Sequence, residues 1–91
     1  MRYYLSEEEM NKIELLAEYA LCAHNKEDAK KYIQQIYFVI SDVLGASKNI
    51  LNEMIAAVEN AAGTVADKIN RVTIAKQLIL KAKMYCVNKN Q

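Results

Sequence analysis

Hydrophobic residues recur every three or four positions along this chain, in four separate stretches. The first stretch contains Met10, Ile13, Leu16, Ala17, Ala20 and Leu21. This spacing places apolar side chains on one face of an α-helix. Similar stripes occur within residues 33–43, 51–62 and 72–86. We therefore predict four amphipathic helices.

Local start signals mark the first two helices. Ser6 followed by Glu9 has the spacing of a capping box, in which the side chain of each residue binds the backbone N–H of the other. Asn25, with Asp28 three residues later, is typical of a second helix start. The first two helices are predicted at about residues 6–24 and 26–44.

The chain's two glycines mark the remaining boundaries. We predict that Gly45 closes the second helix in a left-handed conformation and that Ser47 opens the third, at about 47–62. Gly63 is predicted to end that helix, and Thr64, with Asp67 three residues later, to open a fourth at about 64–89. Such short joints favour antiparallel neighbours, so we predict one all-α domain, residues 1–91, folded as a small antiparallel four-helix bundle.

The fourth predicted helix is the longest. At about 1.5 Å per residue it would span roughly 37 Å, against about 22 Å for the third, and its end would overhang the bundle. It carries a second apolar stripe beside its core stripe, which is typical of a second packing surface. The predicted surface for a protein partner or for self-association comprises Ile69, Thr73, Leu80, Met84, Tyr85 and Val87.

Charge is distributed unevenly, although the net charge is only +1. Residues 1–28 carry three positive and seven negative side chains, whereas residues 64–91 carry six positive and one negative. This asymmetry predicts that the first and last helices lie side by side, or that two chains pair head to tail.

Candidate catalytic chemistry is sparse. His24 is the single histidine, and Cys22 and Cys86 belong to no Cys-x-x-Cys pair, so we predict that both cysteines are buried hydrophobes and that no metal site exists. No apolar run approaches the ~18 residues of a membrane span, and the start does not resemble a signal peptide. We expect a cytoplasmic, non-enzymatic protein without a cofactor or membrane contact. It would bind a protein partner as an adaptor, inhibitor or phage or mobile-element antagonist, and it would form a homo-oligomer.

A DNA-binding alternative rests on residues 41–54, SDVLGASKNILNEM. Their spacing is that of a helix-turn-helix motif and equally that of a helical hairpin closed by glycine. In the first case Ser47, Lys48, Asn49 and Asn52 would point outward toward phosphates and base edges. The long preceding helix and the low positive charge argue against it. We favour the hairpin.

Two stretches, YYLSEEEMNKI and IAKQLILKAKM, together about a quarter of the chain, resemble helical phage proteins that sequester cyclic oligonucleotide signals. The resemblance implies a multimer that encloses its ligand at subunit interfaces, and it assigns no binding residues. For such a ligand-sequestering multimer, we predict Lys68, Arg71 and Lys76 as the first contacts of an anion.

Overall fold

Four helices and their short connections make up the described part of the chain, residues 1–88 of a computed structural model. The helices are α1 Glu7–Cys22, α2 Lys26–Val39, α3 Gly45–Ala61 and α4 Lys68–Tyr85. α1 packs on α2 and α3 packs on α4, with further contacts of α1 and α2 to α3 and of α1 to α4. The predicted all-α bundle is confirmed.

The predicted apolar stripes form the core. All the α1 stripe residues named above are buried, and the corresponding residues of the other helices join them in one hydrophobic cluster. The starts of α1 and α2 are also as predicted. Ser6 Oγ accepts a hydrogen bond from the Glu9 N–H at 3.1 Å, and the Glu9 carboxylate accepts one from the Ser6 N–H. Asn25 Oδ1 accepts from the Asp28 N–H at 2.8 Å.

α1 and α4 run antiparallel. At one end, the Lys68 ammonium at the start of α4 donates to the Leu21 carbonyl at the end of α1, at 3.4 Å. Further along, Lys83 near the end of α4 forms an ion pair with Glu14 of α1 at 3.2 Å. The predicted proximity of the acidic first helix and the basic last helix is therefore confirmed within one chain.

The predicted end of the second helix at residue 44 is wrong, because a turn at residues 40–42 and a short extended segment at residues 43–44 follow α2. α2 ends at Val39, and the chain then pairs with the N-terminal segment. The Arg2 N–H donates to the Asp42 carbonyl at 3.0 Å, and the Leu44 N–H donates to the Arg2 carbonyl at 2.8 Å. Gly45 has the expected left-handed conformation, with φ 73°, but it begins α3 instead of closing α2.

The predicted start of the fourth helix at Thr64 is also wrong. Thr64 Oγ1 donates to the Asn60 carbonyl at 3.3 Å and so serves the end of α3. The left-handed Asp67, with φ 55°, delays the start of α4 to Lys68. α4 has 18 residues and α3 has 17, so α4 is the longest helix, as predicted, but the difference in length on which the predicted overhang rested is only one residue.

The end of α4 is covered by the N-terminal segment. The Leu5 N–H donates to the Cys86 carbonyl at 2.7 Å, and the Asn88 N–H donates to the Leu5 carbonyl at 2.9 Å. This pairing ends the helix at Tyr85 and buries the side chains of Leu5 and Val87. The predicted helix end at residue 89 lies outside the described residues.

The two cysteines differ in burial. Cys86 is buried, and this burial raises the pKa of its thiol, which donates to the Ser47 carbonyl at 3.6 Å. Cys22 is exposed, so the prediction that it is buried is wrong. None of the helices in residues 1–88 is long and apolar enough to cross a membrane.

Candidate interaction surface between α1 and α4

The outward side of α4 is apolar over much of its length. The side chains of Ile69, Leu80 and Met84 are 85 %, 57 % and 61 % exposed, whereas Ala75 and Ile79 on the inward side are buried. Large apolar side chains exposed in succession along one helix face are typical of an interaction surface. The other predicted members are Thr73 and Tyr85, which are exposed, and Val87, which is 8 % exposed and pairs with Leu5.

Leu80 and Met84 border a groove between α1 and α4, here called the α1/α4 groove. The part nearer the start of α1 has a volume of about 310 Å³ and is lined by Glu7, Met10, Asn11, Leu80, Lys83, Met84 and Val87. The part further along has a volume of about 200 Å³ and is lined by Glu14, Glu18, Lys76, Ile79 and Leu80. The groove is an apolar channel with charged side chains on both rims.

The two rims carry opposite charge. The charged residues that line the groove are Glu7, Glu14 and Glu18 on the α1 side and Lys76 and Lys83 on the α4 side. Glu14 and Lys83 pair with each other across the groove. Glu18 and Lys76 line the same part of it, yet within residues 1–88 neither has a hydrogen-bond or ion-pair partner. Both face solvent.

Tyr85 points to a different part of the molecule. It lines a cavity of about 500 Å³ at the start of α3, together with Tyr3, Tyr4, Ser47 and three further residues, Gly45, Ala46 and Ile50. The predicted surface therefore divides in two. Ile69, Thr73, Leu80 and Met84 share one side of α4, and Tyr85 lies apart from them.

The predicted DNA-contacting residues are not presented together. Ser47 is only 4 % exposed, so the expectation that it points outward is wrong. The Lys48 ammonium donates to the Ile40 carbonyl at 2.8 Å and thereby serves the end of α2. Asn49 and Asn52 are exposed.

The predicted anion-contacting residues are dispersed as well. Lys68 donates to the Leu21 carbonyl, and Arg71 Nη1 donates to the Asn60 backbone and side-chain oxygens at 3.1 and 2.8 Å. Lys76 lies on the α1/α4 groove, away from both of these helix ends.

These bonds belong to a wider pattern that the sequence did not reveal. None of α1, α2 and α3 has a basic residue in its own last turn. Each receives a lysine from another helix instead: Lys68 at the end of α1, Lys48 at the end of α2, and Lys26 at the end of α3. The Lys26 ammonium donates to the Glu59 and Ala62 carbonyls at 3.1 and 3.0 Å. A cation there satisfies free carbonyls and complements the negative end of the helix dipole.

Arg2 is a further residue that sequence reasoning missed. Its guanidinium donates to the Glu9 carboxylate in α1 and, at 3.1 Å, to the Asp42 carboxylate in the α2–α3 connection. Hydrogen bonding from Arg2 is the main cause that lowers the pKa of Glu9 from 4.5 to about 2, and the capping bonds of Ser6 add to it. Arg2 therefore joins the first turn of α1 to the α2–α3 connection.

Within residues 1–88, no group of three or more His, Cys, Asp and Glu side chains is arranged to hold a metal ion. The apolar groove with charged rims can bury an apolar segment and orient it through ion pairs. Comparison of this chain with protein-family models, with curated proteins and with solved structures gives no match.

Proposed function

We propose that this protein acts by binding and not by catalysis, and that the α1/α4 groove holds a protein partner. The observation that carries this proposal is the exposure of Leu80 and Met84 beside the apolar floor of the groove. Covering such side chains releases water from apolar surface, at about 25 cal/mol for each Å² buried.

The shape of the groove favours an amphipathic segment as the partner. Leu80 and Met84 are four residues apart on α4 and so lie one above the other along the channel. A helix laid between α1 and α4 would present its own apolar stripe to them, and charged side chains flanking that stripe would meet the rims. Met84 adds an adaptable contact, because methionine is unbranched and polarizable. An adaptor, an inhibitor or a phage-borne antagonist would use such a surface.

The nucleic-acid and anion alternatives draw less support from the same contacts. Lys48, Lys68 and Arg71 each bind a backbone carbonyl at the end of a helix. A phosphate would have to compete with those bonds. Phosphate neutralisation by free cations is the main source of affinity for nucleic acid, so we rank protein binding first.

The proposal is tested by replacing the exposed apolar side chains of the groove with acidic ones. The double variant Leu80→Glu, Met84→Glu is compared with the wild type as a tagged bait in a lysate of the source cell. Bound species are identified by mass spectrometry, including untagged copies of this chain. The matched control is Phe38→Glu, Val65→Glu, because these residues are 83 % and 92 % exposed and lie outside the groove.

We expect the wild type and the control to retain the same protein and the groove variant to lose it, with unchanged helical circular dichroism. Retention of that protein by the groove variant would contradict the proposal. So would the recovery of duplex DNA, released by high salt, as the bound species. That second result would favour the helix-turn-helix alternative.

A further inference from the structure

The charges around the α1/α4 groove restrict what can cover it. A partner that presents positive charge to the α1 rim and negative charge to the α4 rim can form ion pairs with Glu18 and Lys76, which face solvent and have no ion-pair partner within residues 1–88. It would also present apolar side chains to Leu80 and Met84. A single uniformly charged segment would satisfy one rim and oppose the other.

A second copy of this chain meets each requirement. α1 and α4 lie side by side with opposite charge, so a half-turn about an axis along the groove places α1 of each copy over α4 of the other. Glu18 then faces Lys76 of the second copy, and Lys76 faces its Glu18. A half-turn about an axis across the groove would instead stack α1 on α1, which sets like charges against each other.

The apolar side chains of the two copies would also meet in this arrangement. The half-turn along the groove brings the exposed Leu80 and Met84 of the two copies into one shared interface. Leu15 lies three residues before Glu18, on an adjoining side of α1, and is 48 % exposed. It would be covered by α4 of the second copy. Both helices of each copy therefore contribute apolar area as well as charge.

We infer that the α1/α4 groove is occupied by the α1/α4 groove of a second copy, in a face-to-face dimer with its two-fold axis along the groove. This inference rests on the proposed function, since it names the partner of the same surface. The interface is isologous, so each charge pair occurs twice.

The test exchanges the charges of one pair. In Lys76→Glu, both rims become acidic at this point, and in Glu18→Lys both become basic. Each variant alone sets like charges across the interface twice, whereas an equimolar mixture restores both pairs. Mass is measured by size-exclusion chromatography with light scattering over a dilution series. The matched controls are Lys81→Glu and Glu53→Lys, which change exposed charges outside the groove.

We expect the wild type and both controls to have about twice the chain mass of 10.4 kDa. Each single variant should dissociate at least about tenfold more readily, because two repulsive contacts replace two attractive ones. The mixture should recover a dimer that contains one chain of each kind by native mass spectrometry.

Three results would overturn the inference: a monomeric wild type at all concentrations, single variants as dimeric as the wild type, or a mixture that fails to pair. A monomeric wild type that still loses a different protein on Leu80→Glu, Met84→Glu would leave the proposed function standing. A third outcome would contradict both the inference and the proposed function. In it, neither the charge variants nor Leu80→Glu, Met84→Glu change the dimer, and Leu80→Glu, Met84→Glu changes no bound protein.

Discussion

Two contact regions between helices differ in how far their apolar side chains are exposed to solvent. The seam between α2 and α3, here called the α2/α3 seam, is lined by Lys26, Ala29, Lys30, Ile33, Glu59 and Ala62. Its apolar members Ala29, Ile33 and Ala62 are at most 6 % exposed. In the α1/α4 groove, Leu80 and Met84 are both more than half exposed. The lining of the α2/α3 seam therefore exposes no large apolar side chain, whereas the lining of the α1/α4 groove exposes two.

The polar contacts of the α2/α3 seam and of the α1/α4 groove also differ. In the α2/α3 seam, Lys26 binds carbonyls of α3, and the Tyr37 hydroxyl donates to the Glu59 carboxylate at 3.1 Å. Partial burial, followed by this bond, raises the pKa of Tyr37. In the α1/α4 groove, Glu18 and Lys76 have no such partner within residues 1–88. Lys26 and Tyr37 thus bond across the α2/α3 seam, whereas Glu18 and Lys76 leave charge available to a partner in the α1/α4 groove.

The largest expected effect comes from truncating one apolar side chain in each seam. Ile33→Ala should lower the free energy of unfolding by roughly 2–4 kcal/mol, because it leaves a cavity in a packed site. Leu80→Ala should change the stability of the monomer by less than about 0.5 kcal/mol. Urea unfolding in dilute solution measures both. If both variants lost the same free energy of unfolding, Leu80 would be part of the monomer's core. The α1/α4 groove would then not differ from the α2/α3 seam.

The glycine beside the α2/α3 seam gives the next largest effect. A Cβ on Gly63 would lie 2.5 Å from the Lys26 backbone nitrogen, and φ is 66° there. Gly63→Ala should therefore lower stability by roughly 1–3 kcal/mol.

Gly45→Ala is the control for this change. Gly45 has a similar φ of 73°, but its nearest neighbour is a Tyr3 ring carbon at 3.1 Å, and a side chain can move. The melting temperature should fall further for Gly63→Ala than for Gly45→Ala. The reverse order would contradict the close approach of the α3–α4 connection to the start of α2.

Removing the cation from the end of α3 should cost about 1 kcal/mol. Lys26→Met keeps the aliphatic stem but loses both carbonyl bonds. Lys30→Met makes the same chemical change at another residue that lines the α2/α3 seam. We expect Lys26→Met to lower the midpoint of urea unfolding and Lys30→Met to leave it nearly unchanged. Equal effects would indicate loss of general charge and not of a specific bond.

The smallest expected effect concerns pH. The pKa of Glu9 is lowered from 4.5 to about 2 in the folded protein. Its bonds therefore contribute stability that is fully present above about pH 4.5 and is lost as the pH falls toward 2. Because the Glu9 side chain is 30 % exposed, solvent screening keeps this contribution below about 1 kcal/mol.

Glu9→Gln should flatten the decline in stability between pH 4.5 and 2, measured by urea unfolding at several pH values. Glu8→Gln is the matched control, since Glu8 is an exposed neighbour in the same first turn. If Glu8→Gln flattened the curve as much as Glu9→Gln, the contact of Arg2 with Glu9 would not be the cause.

Local patterns in the sequence were sufficient for several features of this protein. The periodicity of the apolar residues determined the four helices and the buried face of α1. The capping residues Ser6 and Asn25 determined two helix starts, because a cap bonds to a backbone group only two or three residues away. The separation of negative and positive charge along the chain indicated that the first and last helices are neighbours.

Contacts between distant residues decided what the sequence could not. Arg2 and Leu5 shorten α2 and α4 by pairing with residues more than 30 positions away, and no local signal encodes that pairing. The same holds for Lys48 and Lys68, whose sequence context is compatible with nucleic-acid or anion contacts but whose ammonium groups bind carbonyls of other helices. Propensities and caps act within one turn, whereas a long side chain bonds to whichever group the packed helices bring within its reach. Only the tertiary structure determines which charges remain available to a partner.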